Sequence, residues 1–185
     1  FFFDEKQVRA KAKNGVIVAE MIAEVIFADP RNDENEFLQP FRAGGAKSDN
    51  PLVNFFWAFC AQGKPAYVSM YYVSLATAVY AIKENGGVAV LAHPGANIGQ
   101  NEEITASIIK AGIDGIEAYS NYHDEATRKF YAAIAAKHHL LVTAGSDFHG
   151  KAKPAIHLGT LGHPNPKGTF DCLTELIIER GGEVL

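Results

Sequence analysis

The chain has 185 residues, of which 48% are hydrophobic and 21% charged, and a formal net charge of -4 at pH 7. That balance suits one packed domain or a large part of a bigger one. It argues against a broad basic nucleic-acid groove but leaves room for a small anionic substrate, because a local metal cluster outweighs a mildly acidic surface.

No apolar run reaches the roughly 18 residues of a membrane span. Cys60 and Cys172 make no CxxC or finger pattern and read as thiols of a reducing, cytoplasmic compartment. Phe1-Phe2-Phe3-Asp4-Glu5 has no initiator Met, basic stretch or cleavage site. It is therefore not a signal peptide, and it reads as a chain that begins inside a larger protein.

Residues 1–65 are expected to form a helical and loop segment, and residues 66–185 a regular α/β part. Val18, Ile22, Val25 and Ile26 share a helical face within residues 4–28, with Asn14-Gly15 a point of interruption. Residues 29–50 are polar and read as a long loop. Residues 51–61 read as a short apolar helix entered at Pro51.

From residue 66 the pattern becomes regular. Ser74 is the predicted cap of a helix with Leu75, Val79 and Ile82 on its inner face. Residues 88–92 read as a strand buried on both sides. Asn101 is expected to cap the next helix, with Ile104, Ile108 and Ala111 facing inward. Residues 115–119 read as a second strand, followed by a helix capped by Asp124 and carrying Ala126, Phe130 and Ile134. Residues 140–144 form a third strand, and Thr169 is the expected cap of a last helix. Alternation of this kind with short connections predicts a parallel sheet or barrel.

The polar residues that carry chemistry follow these strands. His93 closes the first, in LAHPG. His123 comes a few residues after the second. Asp147 and His149 follow the third, in TAGSDFHG. Carboxyl ends of parallel strands form the functional rim of such folds, and imidazole with carboxylate suits divalent metals. An extended Asp147-Phe148-His149 segment would point both ligands to one side, and Pro94 should hold His93 extended. Glu117 should face away from Ile116 and Ala118, as either a support for the metals or a salt-bridged strut. His123 divides evenly between a site role and a residue that merely flanks the Asp124 cap. His138 and His139 close a helix, and His157 and His163 are given no role.

GGVAVLAHPG, DGIEAYS with a nearby His, and LLVTAGSDFHG, in that order, resemble the polymerase and histidinol phosphatase (PHP) family, in particular its small metal-dependent phosphoesterases. The resemblance covers residues 51–162. It implies the carboxy-terminal portion of a distorted (β/α)7 barrel, with residues 1–65 as an insertion or subdomain. It implies two or three divalent ions (Mn, Zn, Fe or Mg), with His93, Asp147 and His149 as ligands and Asp147 and His149 also catalytic. Glu117, His123 and Ser146 would contact substrate or support the ligands. The implied reaction is hydrolysis of phosphomonoesters or of nucleotide and RNA 5′ ends by metal-activated water. The family's amino-terminal HxH pair and the ligands that follow it have no counterpart, since the first histidine is His93. The alternatives are a catalytically inactive PHP-like fragment or oligomerisation module, with strand edges covered by a second copy or a missing portion, and an amidohydrolase-like barrel. The GSDFHG context argues against the last.

Overall fold

The computed structural model describes residues 1–159 and 161–184. The chain divides into two compact units, one made of Phe1–Tyr71 with Phe148–His157, the other of Tyr72–Asp147 with the segment from Leu158 onward.

In the first unit, α1 (Glu5–Ala10) starts at Asp4, whose carboxylate accepts the Lys6 N–H, and α2 spans Ala19–Ala28. The predicted interruption at Asn14-Gly15 is a tight turn: both residues have positive φ, and Lys13 and Val16 pair across it. Asn and Gly are the residues that reach this conformation at least cost. Helix α3 (Pro51–Phe55) runs on into a π-helical turn, Phe56–Cys60.

Residues 29–50 do not form the loose polar loop expected of them. They contain two 3-10 turns, Pro30–Asn32 and Gln39–Phe41. Leu38 and Phe41 from this stretch are buried with Ala23, Ile26, Leu52 and Phe55. Burial of two such side chains is worth roughly 1.5–3 kcal/mol each, enough to hold an otherwise polar segment down. Asn32 fixes the other end: its buried amide donates to the Ile26 carbonyl at 2.8 Å and accepts the Phe2 N–H at 2.9 Å.

The second unit is a three-stranded parallel sheet in the order β1 (Val90–Leu91), β2 (Gly115–Ser120), β3 (Leu141–Gly145). Helices α4 (Leu75–Glu84), α5 (Pro94–Ile98), α6 (Glu102–Lys110) and α7 (Glu125–Lys137) supply the connections, and α8 (Pro166–Glu179) packs on β3. The caps Ser74, Asn101 and Asp124 are found as predicted, each accepting a backbone N–H three residues on. Thr169 is not a cap. Asn165 caps α8, and the Thr169 hydroxyl donates to the Val142 carbonyl at 3.0 Å, tying the helix to β3.

The core comprises Val79, Ala89, Ile113, Ile116, Ala118, Tyr131 and Ala135. Helix faces were misjudged in three places: Leu75, Ile82 and Ile104 are exposed, and in α7 the buried pair is Tyr131 and Ala135, with Phe130 and Ile134 only half-buried. Where a helix carries many apolar residues, periodicity alone does not choose among overlapping faces. Asp114 braces the bottom of the sheet. Its carboxylate accepts from Arg180 at 2.7 and 2.9 Å and from the Ala89 N–H at 2.8 Å, and pairs with Lys83 at 2.8 Å.

Candidate functional site

Within the second unit, the carboxyl ends of the three strands bring together His93, Glu117, Tyr122 and Asp147. His93 follows β1, but not in the extended form that a residue before proline favours. It lies in the left-handed region at φ 31°, ψ 55°, and Pro94 opens α5 directly behind it. The left-handed region is uncommon for any residue other than glycine. Here the Glu117 carboxylate holds it, with Oε2 accepting the His93 N–H at 2.8 Å. The side-chain amide of Asn97, one turn along α5, lies 3.3 Å from His93 Nδ1.

Glu117 points away from Ile116 and Ala118, as strand alternation requires, and the pairing of β2 with β3 shifts register between Glu117 and Tyr119. Gly145 on β3 makes room for it: a Cβ there would overlap Glu117 Oε1. Burial pushes the Glu117 carboxyl above its ordinary range, and the nearby Asp147 charge adds to this against the opposing His93 N–H. Among the described ion pairs Glu117 has none, so of the two roles weighed for it the salt-bridged strut has no support.

Asp147 is also left-handed, at φ 58°, so the Asp147-Phe148-His149 segment is not the extended strand expected. The Tyr122 hydroxyl donates to Asp147 Oδ2 at 2.6 Å, and the Tyr122 ring stands edge-on to the His93 ring at 5.6 Å. Tyr122 therefore touches both candidate ligands. A tyrosine one residue before His123 was available in the sequence as a signal, but only the fold brings it to Asp147.

His123 is placed differently from its site reading. It is buried, its Nδ1–H donates to the Ala118 carbonyl at 2.8 Å, and its Nε2 accepts the Gly95 N–H at 2.8 Å. Both nitrogens are thus held by backbone, which leaves none for a metal or a substrate. It stacks on Tyr131 at 5.7 Å and joins α5 to β2 and α7. Ser146 uses its carbonyl to accept the Asn121 amide at 2.8 Å. His149 belongs to the first unit, where it lines a groove with Lys151 and Trp57.

Imidazole from His93 and carboxylates from Asp147 and Glu117 are the right kinds of donor for a divalent ion. They fit in kind but not in number: among the described residues, no three His, Cys, Asp or Glu side chains are gathered closely enough to hold one.

The second unit is thus a small parallel sheet with acid and imidazole groups at its carboxyl rim. Comparison with known proteins finds relatives named for phosphate-ester chemistry. Over 118 residues the chain is 36% identical to the 3′,5′-nucleoside bisphosphate phosphatase of Chromobacterium violaceum, a match covering 62% of this chain and 41% of that one. It is 36% identical over 88 residues to the phosphoribosyl 1,2-cyclic phosphate 1,2-diphosphodiesterase of Eggerthella lenta, covering 48% and 33%. It is 33% identical over 111 residues to a 5′-3′ exoribonuclease of Escherichia coli, covering 58% and 38%. The chain thus spans between a third and about two-fifths of the length of these relatives.

Among solved structures, a protein from Bifidobacterium adolescentis, provisionally assigned as a metal-dependent phosphoesterase, superposes with a TM-score of 0.72 at 25% identity. That match covers 100% of this chain and 58% of that one. An amidohydrolase from Chromobacterium violaceum superposes at 0.59 with 28% identity, covering 92% and 61%. No family model matches the chain. The relatives nonetheless bear out the resemblance to the PHP phosphoesterases carried by LAHPG and GSDFHG.

Proposed function

We propose that this chain supplies part of the active site of a metal-dependent phosphoesterase acting on phosphomonoesters or on nucleotide and RNA 5′ ends. The observation that carries the reading is the convergence of His93, Glu117 and Asp147 at the carboxyl ends of three parallel strands, with Tyr122 bridging two of them. The relatives named above act on a nucleoside bisphosphate, a cyclic ribose phosphate and RNA, all phosphate esters of ribose compounds.

When bound, divalent ions supply Lewis acidity that activates water and offsets charge on the phosphate oxygens. His93, Asp147 and His149 would contribute some of their ligands. Glu117 positions His93 through its backbone N–H, and Tyr122 orients the Asp147 carboxylate. The fold supports the sheet as a portion of a (β/α)7 barrel. The free thiols Cys60 and Cys172 are compatible with a reducing, cytoplasmic setting.

The test is phosphate release from p-nitrophenyl phosphate and from 5′-phosphorylated nucleotides with Mn²⁺, Zn²⁺ or Mg²⁺, with and without chelator. We expect release that needs the ion and falls about a hundredfold in His149→Ala. Release that survives chelation, or that His149→Ala leaves unchanged, would overturn the reading. A non-catalytic, oligomerising module is the second reading, favoured by the absence of a three-donor cluster among the described residues. It predicts no ion-dependent release and a chain that self-associates in solution.

A further inference from the structure

In the second unit, α6 and α7 enclose a groove of about 300 Å³, none of whose lining residues belongs to the candidate site. Both helices lie in crossovers between parallel strands, α6 from β1 to β2 and α7 from β2 to β3. They therefore share one face of the sheet and run in the same direction. Each lays a stripe spaced i, i+3, i+4, i+7 along the groove. From α6 come Glu102, Thr105, Ala106 and Ile109, and from α7 Phe130, Ala133, Ile134 and Lys137.

The groove is apolar between charged ends. Thr105 is buried and its hydroxyl donates to the Asn101 carbonyl at 2.6 Å, so it asks for no polar partner. Ile109, Phe130 and Ile134 are half-buried. Ala106 and Ala133, at the middle, are exposed, which lets another backbone come close. Glu102 stands in the first turn of α6 and Lys137 in the last turn of α7, each favoured there by its helix dipole. Because the helices run side by side, these two charges mark diagonal corners of the groove, with His138 beside Lys137. Among the described residues neither Glu102 nor Lys137 is in an ion pair.

We propose that a second copy of the chain docks in this groove, its α6 and α7 laid antiparallel across the first pair about a twofold axis. A half-turn about the middle of the groove brings Glu102 of one copy opposite Lys137 of the other, twice over. It also gathers Ala106 and Ala133 near the axis and sets the half-buried apolar side chains against one another. Such a contact is self-complementary, as a twofold interface requires. A small ligand would need converging polar groups, and the groove offers none between its ends. A helix charged with one sign would meet a like charge at one corner, whereas a second copy meets none. Burial of Ile109, Phe130 and Ile134 supplies affinity, and the two Glu102–Lys137 pairs supply orientation. Two short helices make a small interface, so the dissociation constant is expected at about 10–100 μM. Docking here uses the helix layer, not the sheet edges, and is independent of phosphate-ester hydrolysis.

The test is sedimentation equilibrium of the full chain from about 5 to 500 μM, which brackets that constant. The expected result is a monomer–dimer equilibrium with no larger species. Glu102→Lys and Lys137→Glu, each alone, should weaken dimerisation about tenfold, because like charges then face each other at both ends. The two together should restore it to within about threefold of the unmutated chain. Ala133→Arg sets two like charges near the axis and should abolish the dimer over the same range. Circular dichroism and the thermal midpoint check that each variant folds. A chain that stays monomeric throughout, a dimer that Ala133→Arg leaves intact, or charge reversals whose effects add instead of cancelling would each overturn the proposal. Ion-dependent release from p-nitrophenyl phosphate, measured in parallel, tests the hydrolase separately. Release by a monomer overturns only the docking, and a dimer with these responses but no release overturns only the hydrolase.

Discussion

The Tyr122 hydroxyl donates to the Asp147 carboxylate at 2.6 Å while the ring of the same tyrosine stands edge-on to His93. One side chain from the loop after β2 thus orients groups that follow β1 and β3. Groups that hydrogen-bond a ligating carboxylate typically change metal affinity 10- to 100-fold. Tyr122→Phe should lower affinity for a divalent ion about tenfold, read by calorimetric titration, while the thermal midpoint of the metal-free protein stays nearly unchanged. An unchanged metal affinity would remove Tyr122 from the site.

His123 and Gly95 make a contact that tolerates no added atom. A Cβ on Gly95 would lie 2.6 Å from His123 Cδ2, 2.7 Å from Nε2 and 2.7 Å from Thr127 Cγ2. Because His123 is buried and bonded to backbone at both nitrogens, it has nowhere to move without breaking a bond. Gly95→Ala should therefore cost about 2 kcal/mol, from overpacking and a lost buried hydrogen bond. Urea unfolding should show a lower midpoint with an unchanged slope. No shift in midpoint would mean that α5 is loosely held.

Asp114 sets an acid limit on stability. Burial alone would raise its carboxyl, but the bonds from Arg180, Lys83 and the Ala89 N–H override this and bring it from 3.8 to about 2. A carboxyl whose folded value is depressed contributes stability that is fully present above its unfolded value and is lost as pH falls through the folded one. On the order of 2 kcal/mol should disappear between about pH 4 and pH 2. Arg180→Met should lose about 2–3 kcal/mol at neutral pH and show a shallower dependence across that window. Urea midpoints from pH 6 to pH 2 for both proteins check this. Parallel curves would show that Arg180 does not hold Asp114.

Features with a local cause could be read from the residues before any fold was known. Caps at Ser74, Asn101 and Asp124, the Asn14-Gly15 turn, the three strands and the facing of Glu117 all depend on neighbours within a few residues, and each is where the pattern puts it. The placement of His93 and Asp147 at strand ends was legible for the same reason. Features set by partners distant in sequence emerge only on folding. His93 is left-handed instead of extended because Glu117, 24 residues on, accepts its N–H. His123 is a structural bolt because Gly95, 28 residues earlier, donates to it. Residues 29–50 are packed because Leu38 and Phe41 find a core made by α2 and α3. Glu102 and Lys137 stand at diagonal corners of one groove because parallel crossovers lay α6 beside α7, so a net charge of -4 could not reveal them. Composition sums charge over the whole chain, whereas a ligand meets only the groups that folding brings side by side.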